Sequence, residues 1–168
     1  MTDRRRPADT AHSIAHVGLC VSDLDAAVDW YRDVFEMDLV EGPIDMRLDD
    51  PAAGSALSDV FGPEFRSGRV AYMSAGSGAG LELFEFADPP TLPTQAACYW
   101  RPGFSHLCFV VPDVEGALRR IEAAGGRIRT RIWQLRPELP YRFVHFEDPF
   151  GNLLELHSHP GDQVFGRR

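Results

Sequence analysis

Two periodicities alternate along this chain, and they alternate twice. Ile14-Ala15-His16-Val17-Gly18-Leu19-Cys20-Val21 is a short, mostly apolar run that predicts a strand. Ser22 or Asp23 then caps a helix in which Leu24, Ala27, Val28, Tyr31, Val34 and Phe35 recur at helical spacing, running to about Met37. Leu39-Val40 opens a second strand. Residues 42–68 are irregular, with Pro43, Pro51, Gly54, Gly62 and Pro63, and admit a short helix over 53–61. Strands follow at 69–74 and 80–86, joined by a Gly76-Ser77-Gly78 turn.

A Pro-rich linker spans 88–103, and then the pattern restarts. Residues 104–111 predict a strand, Pro112-Asp113 caps a helix over 114–124, and Gly125-Gly126 stops it. Three further strands are expected at 127–132, 141–146 and 152–156. The chain thus divides into a leader (1–11), a first module (12–87), the linker, a second module (104–158) and a tail (159–168). The fold class is α+β, built from two βαβββ modules.

The repeat is positional as well as periodic. His16 and Asp23 recur 90 positions later as His106 and Asp113, and Leu81-Glu82-Leu83 recurs as Leu154-Glu155-Leu156. Each module opens with a His and closes on a strand carrying a Glu. A carboxylate on an otherwise apolar strand is costly to bury without a partner. Two such His/Glu pairs, related by a pseudo-twofold axis, can converge on one ion. His16, Glu82, His106 and Glu155 are therefore the candidate metal ligands. A mixed nitrogen and oxygen set suits one divalent Zn, Ni, Co, Fe or Mn ion and leaves positions open for neighbouring substrate oxygens. Glu85 lies on the same strand as Glu82 but faces the other way; only the repeat selects Glu82.

Composition narrows the function class. A net charge of −8 argues against nucleic-acid binding. No run reaches a membrane span, and the polar N-terminus lacks a signal-peptide core. All 17 basic residues are Arg, so lysine Schiff-base chemistry is excluded from the chain's own side chains. Cys20, Cys98 and Cys108 lack CxxC spacing and read as reduced thiols, with Cys20 and Cys108 as small core residues. A cytoplasmic protein acting on a small molecule is the expectation.

The segments His16 to Leu24 with Trp30-Tyr31-Arg32-Asp33, Leu81 to Phe86, His106 to Val111, and Asp148-Pro149-Phe150-Gly151-Asn152-Leu153-Leu154-Glu155-Leu156 resemble the vicinal oxygen chelate superfamily of glyoxalases, bleomycin resistance proteins and dioxygenases. The resemblance implies that the modules form an open, U-shaped sheet around the metal, commonly in a homodimer. A fourth ligand, Glu82, resembles the glyoxalase I and epimerase style, in which a metal-bound Glu acts as base beside a carbonyl; Glu82 and Glu155 are the candidates. A metal-dependent lyase or isomerase is expected. An Fe(II)-dependent dioxygenase and a non-catalytic antibiotic- or metabolite-binding resistance protein are the alternatives. Tyr99, Trp100 and Arg101 either line the pocket or brace the module junction. Trp133, on a loop over the sheet, and His145, near Glu155, are further substrate-binding candidates. His157 and His159 are expected on the surface.

Overall fold

The computed structural model describes residues 13–76, 79–93, 95, 99–134 and 136–166; the expected leader, the centre of the 76–78 turn and Cys98 lie outside these. The element order is β1 (His16–Cys20), α1 (Leu24–Phe35), β2 (Asp38–Arg47), α2 (Gly54–Phe61), β3 (Ser67–Ser74) and β4 (Gly80–Asp88). It continues with β5 (Leu107–Val110), α3 (Val114–Ala123), β6 (Arg127–Ile128), β7 (Trp133–Gln134), β8 (Arg142–Glu147), β9 (Leu153–His157) and α4 (Gly161–Phe165). The two halves build separate sheets, ordered β1-β4-β3-β2 and β5-β9-β8-β6, with β7 on β8. In each, the first strand lies parallel to the last and the rest are antiparallel. Neither sheet closes into a barrel. No helix among the described residues is long and apolar enough to cross a membrane.

The repeat extends to the caps. Asp23 accepts from the Ala26 N–H at 3.0 Å at the start of α1, and Asp113 accepts from the Gly116 N–H at 2.9 Å at the start of α3. The buried stripe of α1 (Leu24, Ala27, Val28, Tyr31, Val34) packs against Leu19, Leu81 and Leu83, and that of α3 (Val114, Ala117, Ile121) belongs to the same core as Val144, Phe146, Leu154 and Leu156. One core therefore serves both modules. Phe35 stacks on Phe109 at 4.1 Å between ring centres, and the Trp30 indole donates to the Ala124 carbonyl at 3.0 Å.

Three expectations are corrected by the packing. The strand expected over 127–132 is broken after Ile128, because the Arg129 and Thr130 N–H groups both donate to the single His145 carbonyl, so two residues oppose one. Cys20 and Cys108 are exposed rather than core, since alternation turns their apolar neighbours inward and the cysteines out. His157 is buried, not superficial; it lies on β9, two positions from Glu155. The α4 helix occupies part of the segment read as a tail.

Candidate metal centre

In each module one face of the sheet enters the core and the other carries the polar residues. Along β1, Leu19 is buried while His16, Gly18 and Cys20 are outward; along β4, Leu81 and Leu83 are buried and Glu82 lies between them on the opposite face. The parallel register sets Gly18 against Glu82, which places the carboxylate beside the imidazole two residues earlier. His16 Nε2 lies 3.3 Å from Glu82 Oε2. Glu85 faces away from this pair. Its Oε2 accepts from the Leu24 N–H at 3.1 Å and from the Arg69 guanidinium at 2.5 and 3.1 Å, so it anchors the start of α1.

The second module repeats the pair and adds to it. His106 Nε2 is 3.2 Å from Glu155 Oε2. The other carboxylate oxygen, Oε1, lies 3.6 Å from His145 Nε2 and 3.2 Å from His157 Nε2. Ser105 Oγ is 2.9 Å from His106 Nδ1, which orients the ring. Two sets of donor atoms lie mutually within 4.8 Å: His106, His145 and Glu155, and Cys108, Glu155 and His157. Among the described residues, no such set joins His16 or Glu82 to His106 or Glu155. Each expected His/Glu pair is therefore present, but one chain does not gather all four donors at a point.

Position 145 is the repeat partner of position 72. His145 pairs with Glu155 across β8 and β9, and Tyr72 pairs with Glu82 across β3 and β4. Both are 73 positions apart, as are the two glutamates. In the first module the Tyr72 hydroxyl donates to Glu82, which raises its pKa, with burial adding to the effect. In the second module burial lowers the His145 pKa; His106 and His157 push it further down and Glu155 opposes them. A neutral imidazole is the form that ligates a metal. Although Cys108 is exposed as a residue, its thiol is partly desolvated against the sheet, and this, with the Glu155 charge second, pushes it up to about 12, so it stays protonated and a poor nucleophile.

The cluster opens on a cavity of about 460 Å³ walled by Phe143, Val110, His157, His159 and Phe165. Tyr99 is at this site, its ring 6.0 Å from that of His145 and 6.4 Å from that of His106. Trp100 is 88% exposed. Arg101 is exposed, 3.4 Å from the Gln95 amide oxygen. Trp133 sits at the sheet edge opposite Phe143, with the Arg131 guanidinium 3.7 Å from its ring centre. Sequence reasoning missed His157 as a partner of Glu155. The signal was there, because residues two apart on a strand share a face.

The donor set fits a borderline divalent ion: imidazole nitrogens and carboxylate oxygens converge and a cavity adjoins them. Comparison with known proteins identifies the family. The family model described as the Glyoxalase/Bleomycin resistance protein/Dioxygenase superfamily matches residues 13–156. A 2-epi-5-epi-valiolone epimerase from Actinomyces sp. is 31% identical over 172 residues, covering 98% of this chain and 88% of that protein. Among solved structures, a glyoxalase family protein from Bacillus cereus superposes with a TM-score of 0.70 at 21% identity, over 94% of this chain and 97% of that one. A mutant of the fosfomycin resistance protein FosX from Listeria monocytogenes, complexed with Mn(II) and 1S,2S-dihydroxypropylphosphonic acid, superposes with a TM-score of 0.57 at 16% identity, over 92% and 95%.

Proposed function

The chain belongs to the glyoxalase/bleomycin resistance protein/dioxygenase superfamily, and from that premise we propose that it is a divalent-metal-dependent epimerase or isomerase that moves a proton on a small substrate with vicinal oxygens. One observation carries the reading: the duplicated His–Glu contact, 3.3 Å in the first module and 3.2 Å in the second, on sister strands. The epimerase relative, similar over nearly the whole chain, supports the same class.

When bound, the ion supplies a Lewis acid that polarises a carbonyl and lowers the acidity barrier at the adjacent carbon. The chain's own residues do the rest. His16, Glu82, His106 and Glu155 are the residues that would hold the ion in the complete centre. Epimerisation removes a proton from one face of a carbon and returns it to the other, and two carboxylates related by an internal repeat suit that exchange. Glu82 and Glu155 are the candidate base and acid. Phe143, Val110 and Phe165 supply the apolar wall of the cavity beside the second pair. Since the four donors do not meet within one chain, the complete centre is a homodimer property, with the first module of one protomer completing the second module of another.

The test is an assay in deuterated water with metal-reconstituted protein. 2-epi-5-epi-valiolone is the first substrate to try, because a similar protein is named for it. Deuterium should appear at the carbon beside the carbonyl, and Glu155→Gln should abolish its uptake. Fosfomycin and catechols are the controls. Oxygen consumption with a catechol would support the second reading, an Fe(II) dioxygenase, which is favoured by the grouping of two imidazoles with one carboxylate at His106, His145 and Glu155.

A further inference from the structure

We propose that the second module holds the divalent ion by itself, through His106 Nε2, His145 Nε2 and a Glu155 oxygen, with His145 as a ligand that the first module has no equivalent of. This rests on the reading of the protein as a metal enzyme and goes beyond it by assigning the ion's resting place and a ligand outside the duplicated His–Glu pairs.

Donor spacing is the first support. Donors about 2.1 Å from one ion lie roughly 3 to 3.5 Å from one another in octahedral or tetrahedral geometry. His106 Nε2 lies 3.2 Å from Glu155 Oε2, inside that range, and His145 Nε2 lies 3.6 Å from the other oxygen, Oε1, at its edge. One donor atom from each of the three residues lies within 4.8 Å of the other two.

Pre-organisation is the second. The His145 backbone is tied on both sides: its N–H donates to Thr130 Oγ1 at 3.1 Å, and its carbonyl accepts from Arg129 and Thr130. The His106 ring is oriented through its Nδ1 by Ser105. Side-chain exposure is low for His145 and Glu155, at 15% and 11%. Three imidazoles converge on the one Glu155 carboxylate, which matches a ligand set whose positions are held ready.

The third support is the asymmetry between the modules. At the position equivalent to His145 the first module carries Tyr72, whose hydroxyl donates to Glu82. That hydroxyl occupies a carboxylate lone pair, where His145 instead offers Glu155 a ring nitrogen that can ligate a metal. The first module is left with two ligands and the second with three, so the ion belongs to the second and His16 and Glu82 close over it later.

The experiment is a cobalt titration of chelator-stripped full-length protein, followed by the visible d–d absorption and by thermal unfolding. Wild type should take up one Co²⁺ per chain. The double variant His16→Ala/Glu82→Gln should lose turnover yet bind Co²⁺ within about 10-fold of wild type. His145→Ala should weaken binding by about 100-fold or more, with His145→Gln intermediate, while the stripped proteins unfold near the wild-type temperature. Wild-type affinity in both His145 variants overturns the proposal but leaves the proposed function standing. So does a first-module variant that loses Co²⁺ as completely as His106→Ala. A thiolate-to-cobalt charge-transfer band, absent in Cys108→Ser, overturns it in favour of Cys108, His157 and Glu155. Failure of wild type to bind any divalent ion sinks this assignment and the proposed function together.

Discussion

The Tyr31 hydroxyl donates to Asp148 Oδ2 at 2.8 Å, joining the middle of α1 to the turn that feeds β9. Asp148 is only 3% exposed and also accepts from Asn152 Nδ2 and from the backbone N–H groups of Phe150 and Asn152. Gly151 occupies this turn at φ +88°, a conformation that favours glycine. The turn delivers Glu155 four positions after Gly151, so the contact between modules also sets where the carboxylate sits. Tyr31→Phe leaves one acceptor of Asp148 short of a donor and should cost about 1–2 kcal/mol in chemical denaturation. Asp148→Ala strands several donors and should cost more, about 3 kcal/mol.

Burial is the largest influence on the Asp148 carboxyl and raises its pKa; hydrogen bonds from Asn152 and Tyr31 oppose it. A carboxyl with a raised folded pKa binds its proton more tightly folded than unfolded. Its contribution to stability is full below the ordinary carboxylate value of about 4 and is lost as pH rises through the elevated folded value. Asp148→Asn removes this titration. The unfolding free energy of wild type minus that of the variant should therefore fall as pH rises from about 3 to 7. A difference that rises instead would mean that the hydrogen bonds outweigh burial.

Glu85 and Glu82 share a strand but not a task. Glu85→Ala frees the Leu24 N–H and one partner of Arg69, which keeps Asp25 at 2.8 Å. It should cost about 1 kcal/mol of stability and leave metal content unchanged in elemental analysis. Metal loss in Glu85→Ala with retention in Glu82→Ala would put the carboxylates on faces opposite to those described.

Bound metal should stabilise the folded chain by mass action. At 100 times the dissociation constant the gain is about 2.7 kcal/mol, several degrees in Tm for a domain of this size. Stripping the protein with a chelator should reverse the gain. His106→Ala should respond to neither treatment, and an unaltered metal-dependent Tm in that variant would remove His106 from the site.

Much of this architecture is legible without coordinates. The helix and strand periods, the Asp23 and Asp113 caps and the 90-residue His repeat place β1, α1, β5 and α3 within a few residues. The break between β6 and β7 is not legible, because it arises where two N–H groups compete for the His145 carbonyl, a partner on another strand. The burial of His157 is not legible for a similar reason. Proximity to the C-terminus suggests fraying, whereas its place on the central strand β9 buries it.

Sequence alone determined which residues exist in duplicate and which strand face each occupies, because alternation and the repeat are properties of the chain order. It selected Glu82 over Glu85 and paired His16 with His106. Tertiary structure decided which donors meet. Strand register set His145 beside Glu155 and Tyr72 beside Glu82, and packing of the modules through Phe35–Phe109 and Tyr31–Asp148 left the two His–Glu pairs apart in one chain. A face is fixed by a period of two, but a neighbour is fixed only when another strand hydrogen-bonds at a particular register.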